Sequence, residues 1–169
     1  MNQVLAAWNE TDEATARDVM LSCCGAKRWA KAMVALRPIA SIAQLSEEAD
    51  RLWATMDEAD WLEAFACHPR IGERKGAHAG AASSSWSRQE QAAVATAVDR
   101  TLTALAEGNA AYEERFGFTY IVCATGKSAE EMLAILKRRL NNSRDAELLE
   151  AAEQQRQIMQ IRLGKWLLS

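Results

Sequence analysis

Phe116-Gly117-Phe118-Thr119-Tyr120-Ile121-Val122-Cys123-Ala124 constrains the fold more than any other stretch of this chain. The run is apolar and β-prone, yet the chain offers it no convincing partner strand, and a strand by itself is not stable. On both sides of it, apolar residues recur at helical spacing between helix start and stop signals. The expected fold class is therefore all-α. We expect a single compact multi-helix domain over residues 1–169, with an extended apolar segment near residues 118–124 crossing its core. Backbone amides in such a segment lack a sheet neighbour and are available to bind something else.

The helical signals run in order. Asn2 to Trp8 reads as a short first helix. Asn9, Thr11 and Asp12 offer caps for a second, about Glu13 to Cys23, closed by Gly25. Trp29 to Leu36 is apolar-rich and stops at Arg37-Pro38. Ser46 reads as the next start, with Glu47 and Glu48 suiting a first turn and Leu52, Trp53 and Met56 forming the apolar face. Asp57 and Glu58 open a helix carrying Trp61, Leu62 and Phe65. Gly72 to Ser85 is rich in Gly, Ala and Ser and reads as a loop, with His78 facing solvent.

Ser87-Arg88-Gln89-Glu90 fits a capping box for a helix running to about Leu105 or Glu107. Gly108 is expected to interrupt it before a further turn or two over Asn109 to Arg115. Ser128 to Glu131 is a second capping box, opening a helix to Leu140. The last helix, about Arg144 to Lys165, is expected to bury Leu149, Ala152 and Ile161 and to carry Glu153, Gln154 and Gln155 as polar positions.

Composition excludes several function classes. Among 169 residues there are only two prolines, which suits helices, and a formal net charge of -3 with mixed signs argues against a nucleic-acid binder. No apolar run approaches the roughly 20 residues that span a bilayer, so no membrane association is expected. The N-terminus lacks the basic and apolar regions of a secretory leader. Four cysteines, two of them the adjacent Cys23 and Cys24, form neither a disulfide framework nor a zinc pattern. A reducing cytoplasm is the expected location. Gly126-Lys127-Ser128 ends like a phosphate-binding loop, but the earlier glycine is replaced by Ile121, so no nucleotide cofactor is expected. No metal is expected either.

Chemistry concentrates at Cys67-His68-Pro69-Arg70-Ile71-Gly72. Pro69 restrains the backbone of His68, Arg70 adds a permanent cation with five donors, and Gly72 permits a turn. A restrained imidazole at a helix end is suited to acid–base work; a helix stop with a surface histidine explains the same residues. Glu90 has two readings as well, capping residue or functional carboxylate. Arg162, near the end of the last helix, is either a solvated arginine or one reaching inward. Cys123 reads as a buried small hydrophobe rather than a nucleophile.

Taken together, the ordered motifs resemble the 2-oxo-4-hydroxy-4-carboxy-5-ureidoimidazoline (OHCU) decarboxylase family. The resemblance is carried by His68-Pro69-Arg70-Ile71-Gly72, Ser87-Arg88-Gln89-Glu90-Gln91, Asn109-x-x-Tyr112-x-x-x-Phe116-Gly117-Phe118, Tyr120 to Ser128, Arg138-Arg139-Leu140-x-Asn142, and a terminal helix with Arg162. It implies an all-helical, cofactor-free carboxy-lyase of urate breakdown that converts a small anionic ureidoimidazoline to (S)-allantoin and carbon dioxide. It assigns catalysis to His68, Glu90 and Arg162, and substrate contacts to Pro69, Ser87, Gln91 and the segment Tyr120, Ile121, Val122, Cys123 and Ala124. It also implies a homodimer. Two rivals remain at this level: a non-catalytic helical interaction protein, and a hydrolase of a related ureide.

Overall fold

The computed structural model describes residues 1–71 and 99–169, and every regular element among them is an α-helix. In chain order these are α1 (Gln3–Glu10), α2 (Glu13–Cys23), α3 (Lys27–Ala35), α4 (Ile42–Ala54), α5 (Glu58–Ala66), α6 (Asp99–Phe116), α7 (Ala129–Arg139) and α8 (Arg144–Leu167). The described residues group into two units. One comprises Met1–Ala64 and Arg156–Ser169, the other Phe65–Gln155.

In the first unit, α2 starts at one of the caps the sequence offers, Asp12, while Asn2, read as the first residue of a helix, is the N-cap of α1. The Asn2 and Asp12 carboxamide and carboxylate oxygens accept from the N–H of Leu5 and Thr15. Tryptophans fill this core, and two of them donate their indole N–H to a carbonyl: Trp8 to Ala16 at 3.0 Å and Trp29 to Ala49 at 3.1 Å. Trp8 also meets Trp166 edge-on. Arg37 closes the turn after α3 by donating through Nη1 to the carbonyls of Trp8 and Thr11, at 2.7 and 2.8 Å.

Helix α4 begins earlier than the sequence suggests. Ser41 is its N-cap, accepting from the Gln44 N–H at 3.1 Å, so Ser46 lies inside the helix and Glu47 and Glu48 are outside its first turn. Ser46 serves a tertiary contact instead. Its hydroxyl donates to Gln160 Oε1 at 2.8 Å, while Gln160 Nε2 donates to the Ser46 carbonyl and to Asp50.

The second unit is built around the extended segment. From Gly117, whose φ of +83° suits a residue without Cβ, the chain leaves α6 and runs without helix or strand to the start of α7. The expected irregular segment is therefore present, with residues 120–124 all buried. Tyr112 packs its ring against Phe116, Phe118 and Tyr120 at centroid distances of 4.7, 5.7 and 5.4 Å. Phe65 reaches Phe118 from the other side, at 5.4 Å.

Two further expectations are corrected here. Gly108 does not interrupt α6; a Cβ at that position would lie 2.6 Å from Leu136 Cδ2, so the glycine permits close approach of α6 and α7. Leu149 is 62% exposed, whereas Gln155 is 0% exposed. The buried face of α8 thus includes Ala152 as expected, with Leu148, Leu163 and Leu167, but not Leu149.

Candidate active site

His68 sits in the turn that ends α5. Its backbone N–H donates to the Phe65 carbonyl at 3.1 Å, and Pro69 prevents the helix from continuing. The side chain is half-buried, next to the exposed Cys67. Imidazole Nε2 lies 2.6 Å from Oε1 of Gln155, a residue of α8 with no exposed surface. Gln155 Nε2 is buried and has no hydrogen-bond partner among the described residues.

Arg70 anchors this turn to α6. Its Nε and Nη2 donate to the two carboxylate oxygens of Glu113 at 2.7 and 3.1 Å. The Arg70 guanidinium holds the Glu113 carboxyl below the usual carboxylate range, with burial opposing and Thr119, the Arg70 charge and Asn109 assisting. One helical turn earlier, Asn109 donates to Glu113 at 3.2 Å and accepts from the Tyr120 N–H at 3.1 Å. A continuous polar chain therefore ties the histidine turn to the extended segment.

The segment is held at several further points. Arg139 donates through Nη1 to the Ile121 carbonyl at 2.6 Å, Lys127 Nζ donates to the Cys123 carbonyl at 2.8 Å, and the Tyr120 hydroxyl donates to the Met132 carbonyl at 2.9 Å. The Cys123 N–H donates to Gln154 Oε1 at 2.8 Å. The consecutive glutamines 154 and 155 of α8 thus hold the extended segment and the catalytic candidate His68, respectively. By contrast, the N–H groups of Ile121, Val122 and Ala124 make no hydrogen bond to another described residue, although all three residues are buried. Buried amides are normally paired, so these backbone donors are suited to a bound polar ligand.

Behind the segment lies a buried ionic cluster. Arg139 Nε donates to Glu147 Oε1 at 2.6 Å, and the Tyr112 hydroxyl donates to the same oxygen. Burial and Glu147 both push the Tyr112 phenol well above its ordinary range. Its role is to fix the segment, since Arg139 is 0% exposed.

Of the sequence-derived site residues, His68, Pro69 and Tyr120 to Ala124 belong to the second unit, where His68 and Cys123 meet the adjacent Gln155 and Gln154. Two of that segment's five amides, those of Tyr120 and Cys123, are occupied internally. Arg162 belongs to the other unit, where it is 4% exposed and its charge acts on Cys23. Burial pushes the Cys23 thiol up to about 12, with Arg162 pulling it down and Cys24 adding to the rise. Ser87, Glu90 and Gln91, and with them the first capping box, lie outside the described residues. Among the described residues no three His, Cys, Asp or Glu side chains group as a metal would require. Sequence reasoning missed Gln155, Gln154 and Glu113. Their only signal is polarity on helical faces, which solvent-exposed residues share.

Comparison with known proteins gives a consistent result. The family model described as OHCU decarboxylase matches residues 9–164. The chain is 37% identical over 144 residues to the uric acid degradation bifunctional protein TTL of Arabidopsis thaliana, covering 85% of this chain and 44% of that protein. It is 26% identical to the uric acid degradation bifunctional protein PucL of Bacillus subtilis, covering 92% of this chain and 31% of that protein. The chain therefore spans less than half the length of these two curated relatives. Among solved structures it resembles an OHCU decarboxylase crystallised in the presence of (S)-allantoin, with a TM-score of 0.78 and 33% identity over 90% of this chain and 99% of that one.

Proposed function

Because the chain belongs to the OHCU decarboxylase family, we propose that it decarboxylates 2-oxo-4-hydroxy-4-carboxy-5-ureidoimidazoline to (S)-allantoin and carbon dioxide. The observation that carries this reading is the pairing of a turn-held imidazole with buried backbone donors tied to the same helix. His68 supplies proton transfer, and the N–H groups of Ile121, Val122 and Ala124 supply donors for the carbonyl and ureido groups of a small polar substrate.

The chemistry is economical. The C–C bond to the carboxylate breaks, its electron pair moves into the neighbouring ring C=N bond to leave an enol, and carbon dioxide leaves. A proton delivered to one face of the adjacent ureido-bearing carbon, with the enol hydroxyl giving up its proton to become the ring carbonyl, completes the product and sets its hand. The substrate is its own electron sink, so the proposal requires neither cofactor nor metal. Preorganised donors aimed at the developing charge lower the barrier, and an imidazole, which titrates near neutral pH, suits the proton step. Glu90 is assigned the orientation of the substrate hydroxyl, and Arg162 the clamping of an anionic oxygen. Ser87, Gln91 and Pro69 are assigned substrate contacts. A reducing cytoplasm is the place of action we propose. A homodimer is the assembly we propose.

The test is to generate the unstable substrate enzymatically and follow its loss optically before it decays, with carbon dioxide and product chirality measured in parallel. Accelerated release of carbon dioxide with (S)-allantoin is expected. Ureide cleavage without carbon dioxide would instead make the protein a hydrolase, and no acceleration would make it a binding protein. His68→Asn should retain its helical circular dichroism and lose about 10²- to 10⁴-fold in rate, the usual general acid–base contribution. Undiminished turnover by a folded His68→Asn protein would remove His68 from the mechanism.

A further inference from the structure

We propose that Gln155 is a positioning residue for His68: it holds the imidazole as the Nε2–H tautomer and so makes Nδ1 the nitrogen that accepts and returns the proton. The proposal rests on the reading of His68 as the proton-transfer group.

An amide oxygen only accepts hydrogen bonds. With Gln155 Oε1 at 2.6 Å from His68 Nε2, that nitrogen must carry the hydrogen. A neutral imidazole has a single N–H, so the lone pair resides on Nδ1. Gln155 is well placed to impose this choice. It projects from the interior of α8 and has no exposed surface, so its carboxamide cannot swing to solvent. The preceding residue shows the ordinary structural use of such a side chain: Gln154 Oε1 accepts the Cys123 N–H.

Gln155 differs in a second respect. Its Nε2, with two donor hydrogens, is buried and has no partner among the described residues. A buried donor left unmatched is uncommon and calls for an explanation. The neutrality of the partner also matters. A carboxylate in this position would favour the imidazolium, whereas an amide oxygen orients the ring without adding charge. The imidazole then remains able both to take up and to release a proton.

The measurement is long-range ¹H–¹⁵N correlation on protein labelled at histidine, recorded without substrate. Only His68 and His78 contribute, and His78→Gln assigns the pair. In the wild-type protein, neutral His68 should show a protonated Nε2 and a bare Nδ1. Gln155→Met removes the acceptor at similar length and should yield mixed tautomers, with kcat lowered at least tenfold and helicity unchanged. Gln155→Glu restores an acceptor and, once the imidazolium that a carboxylate favours has been titrated to the neutral ring, should restore the Nε2–H tautomer. A wild-type protein carrying the proton on Nδ1, as a carboxamide turned over would dictate, overturns the proposal. So does a Gln155→Met protein with an unchanged tautomer. Should Gln155→Met not fold, the wild-type spectrum still decides. Full turnover by His68→Asn would overturn the underlying reading of His68 without touching the tautomer measurement, so the two failures are distinct.

Discussion

Arg139 carries a permanent charge into a place with no exposed surface. Burial alone would drive its guanidinium toward neutrality, but the Glu147 hydrogen bond and the surrounding acidic groups outweigh that, and its pKa is raised. The pair therefore stands or falls together. Removing one partner of a buried pair typically costs about 3–5 kcal/mol, because the other charge is left uncompensated. Glu150 lies 3.8 Å from Arg139 Nε and supplies partial relief, so Glu147→Gln should destabilise the protein by about 3 kcal/mol, measured by urea unfolding. A loss below about 1 kcal/mol would show that Arg139 is held by its carbonyl contact alone. Glu113 makes a different prediction. Its folded pKa is depressed below the ordinary 4.5, so it stabilises the native state above that pH, and the contribution fades as pH falls through the folded value. The Arg70 side chain is 56% exposed, which limits the pair to less than about 1 kcal/mol. Wild type should exceed Glu113→Gln in stability at pH 7, and the two should converge in acid below the ordinary glutamate range.

Among the elements, α6 and α7 meet through Gly108. Glycine inside a helix costs about 1 kcal/mol relative to alanine, so a solvent-facing Gly108→Ala would stabilise. Here the new methyl would sit 2.6 Å from Leu136 Cδ2, and Leu136 is fully buried. Overpacking a tight core typically costs about 1–3 kcal/mol, so the clash should win or at least cancel the propensity gain. Gly108→Ala is expected to be neutral to destabilising by about 1 kcal/mol. In a Leu136→Ala background the same substitution should become stabilising, and a double-mutant cycle measures the reversal. A stabilising Gly108→Ala in the wild-type background would mean that Leu136 has room to turn away. Helix α4 makes a related point: Ser41 and Ser46 are both competent N-caps, and the tertiary bond from Ser46 to Gln160 accompanies the choice of Ser41.

At the scale of the whole molecule, the thiols report on the folded state. Cys23 and Cys24 are 0% exposed, Cys123 is 5% exposed, and Cys67 is exposed. Burial also keeps the Cys23 thiol protonated at ordinary pH, since its pKa is pushed up to about 12, and a protonated thiol is not the nucleophile. Native protein treated with an aromatic disulfide reagent should therefore release one fast equivalent, from Cys67, and the remaining three only on unfolding. Cys67→Ser should abolish the fast phase. More than one fast equivalent in native protein would contradict the burial of the other three.

The sequence by itself determined what local physics controls. The caps at Asp12 and Ser128, the stop at His68-Pro69 and the unpartnered run ending at Ala124 all lie in local patterns, because each depends on residues within a turn or two. His68 was legible for the same reason, and ordered motifs along the chain carried the family. The tertiary structure alone decided what the polar residues on the buried side of α8 meet. Leu148, Ala151, Ala152, Ile158 and Met159 mark that side by helical periodicity, and packing presents Gln155 to His68 and Gln154 to the Cys123 amide. A glutamine scores as polar wherever it stands, and whether it meets water or a partner 87 residues away depends on how the helices pack. The Arg139–Glu147 pair was hidden likewise. Two charges of opposite sign eight residues apart look like solvated surface until tertiary packing encloses them and supplies the Tyr112 hydroxyl and the Ile121 carbonyl.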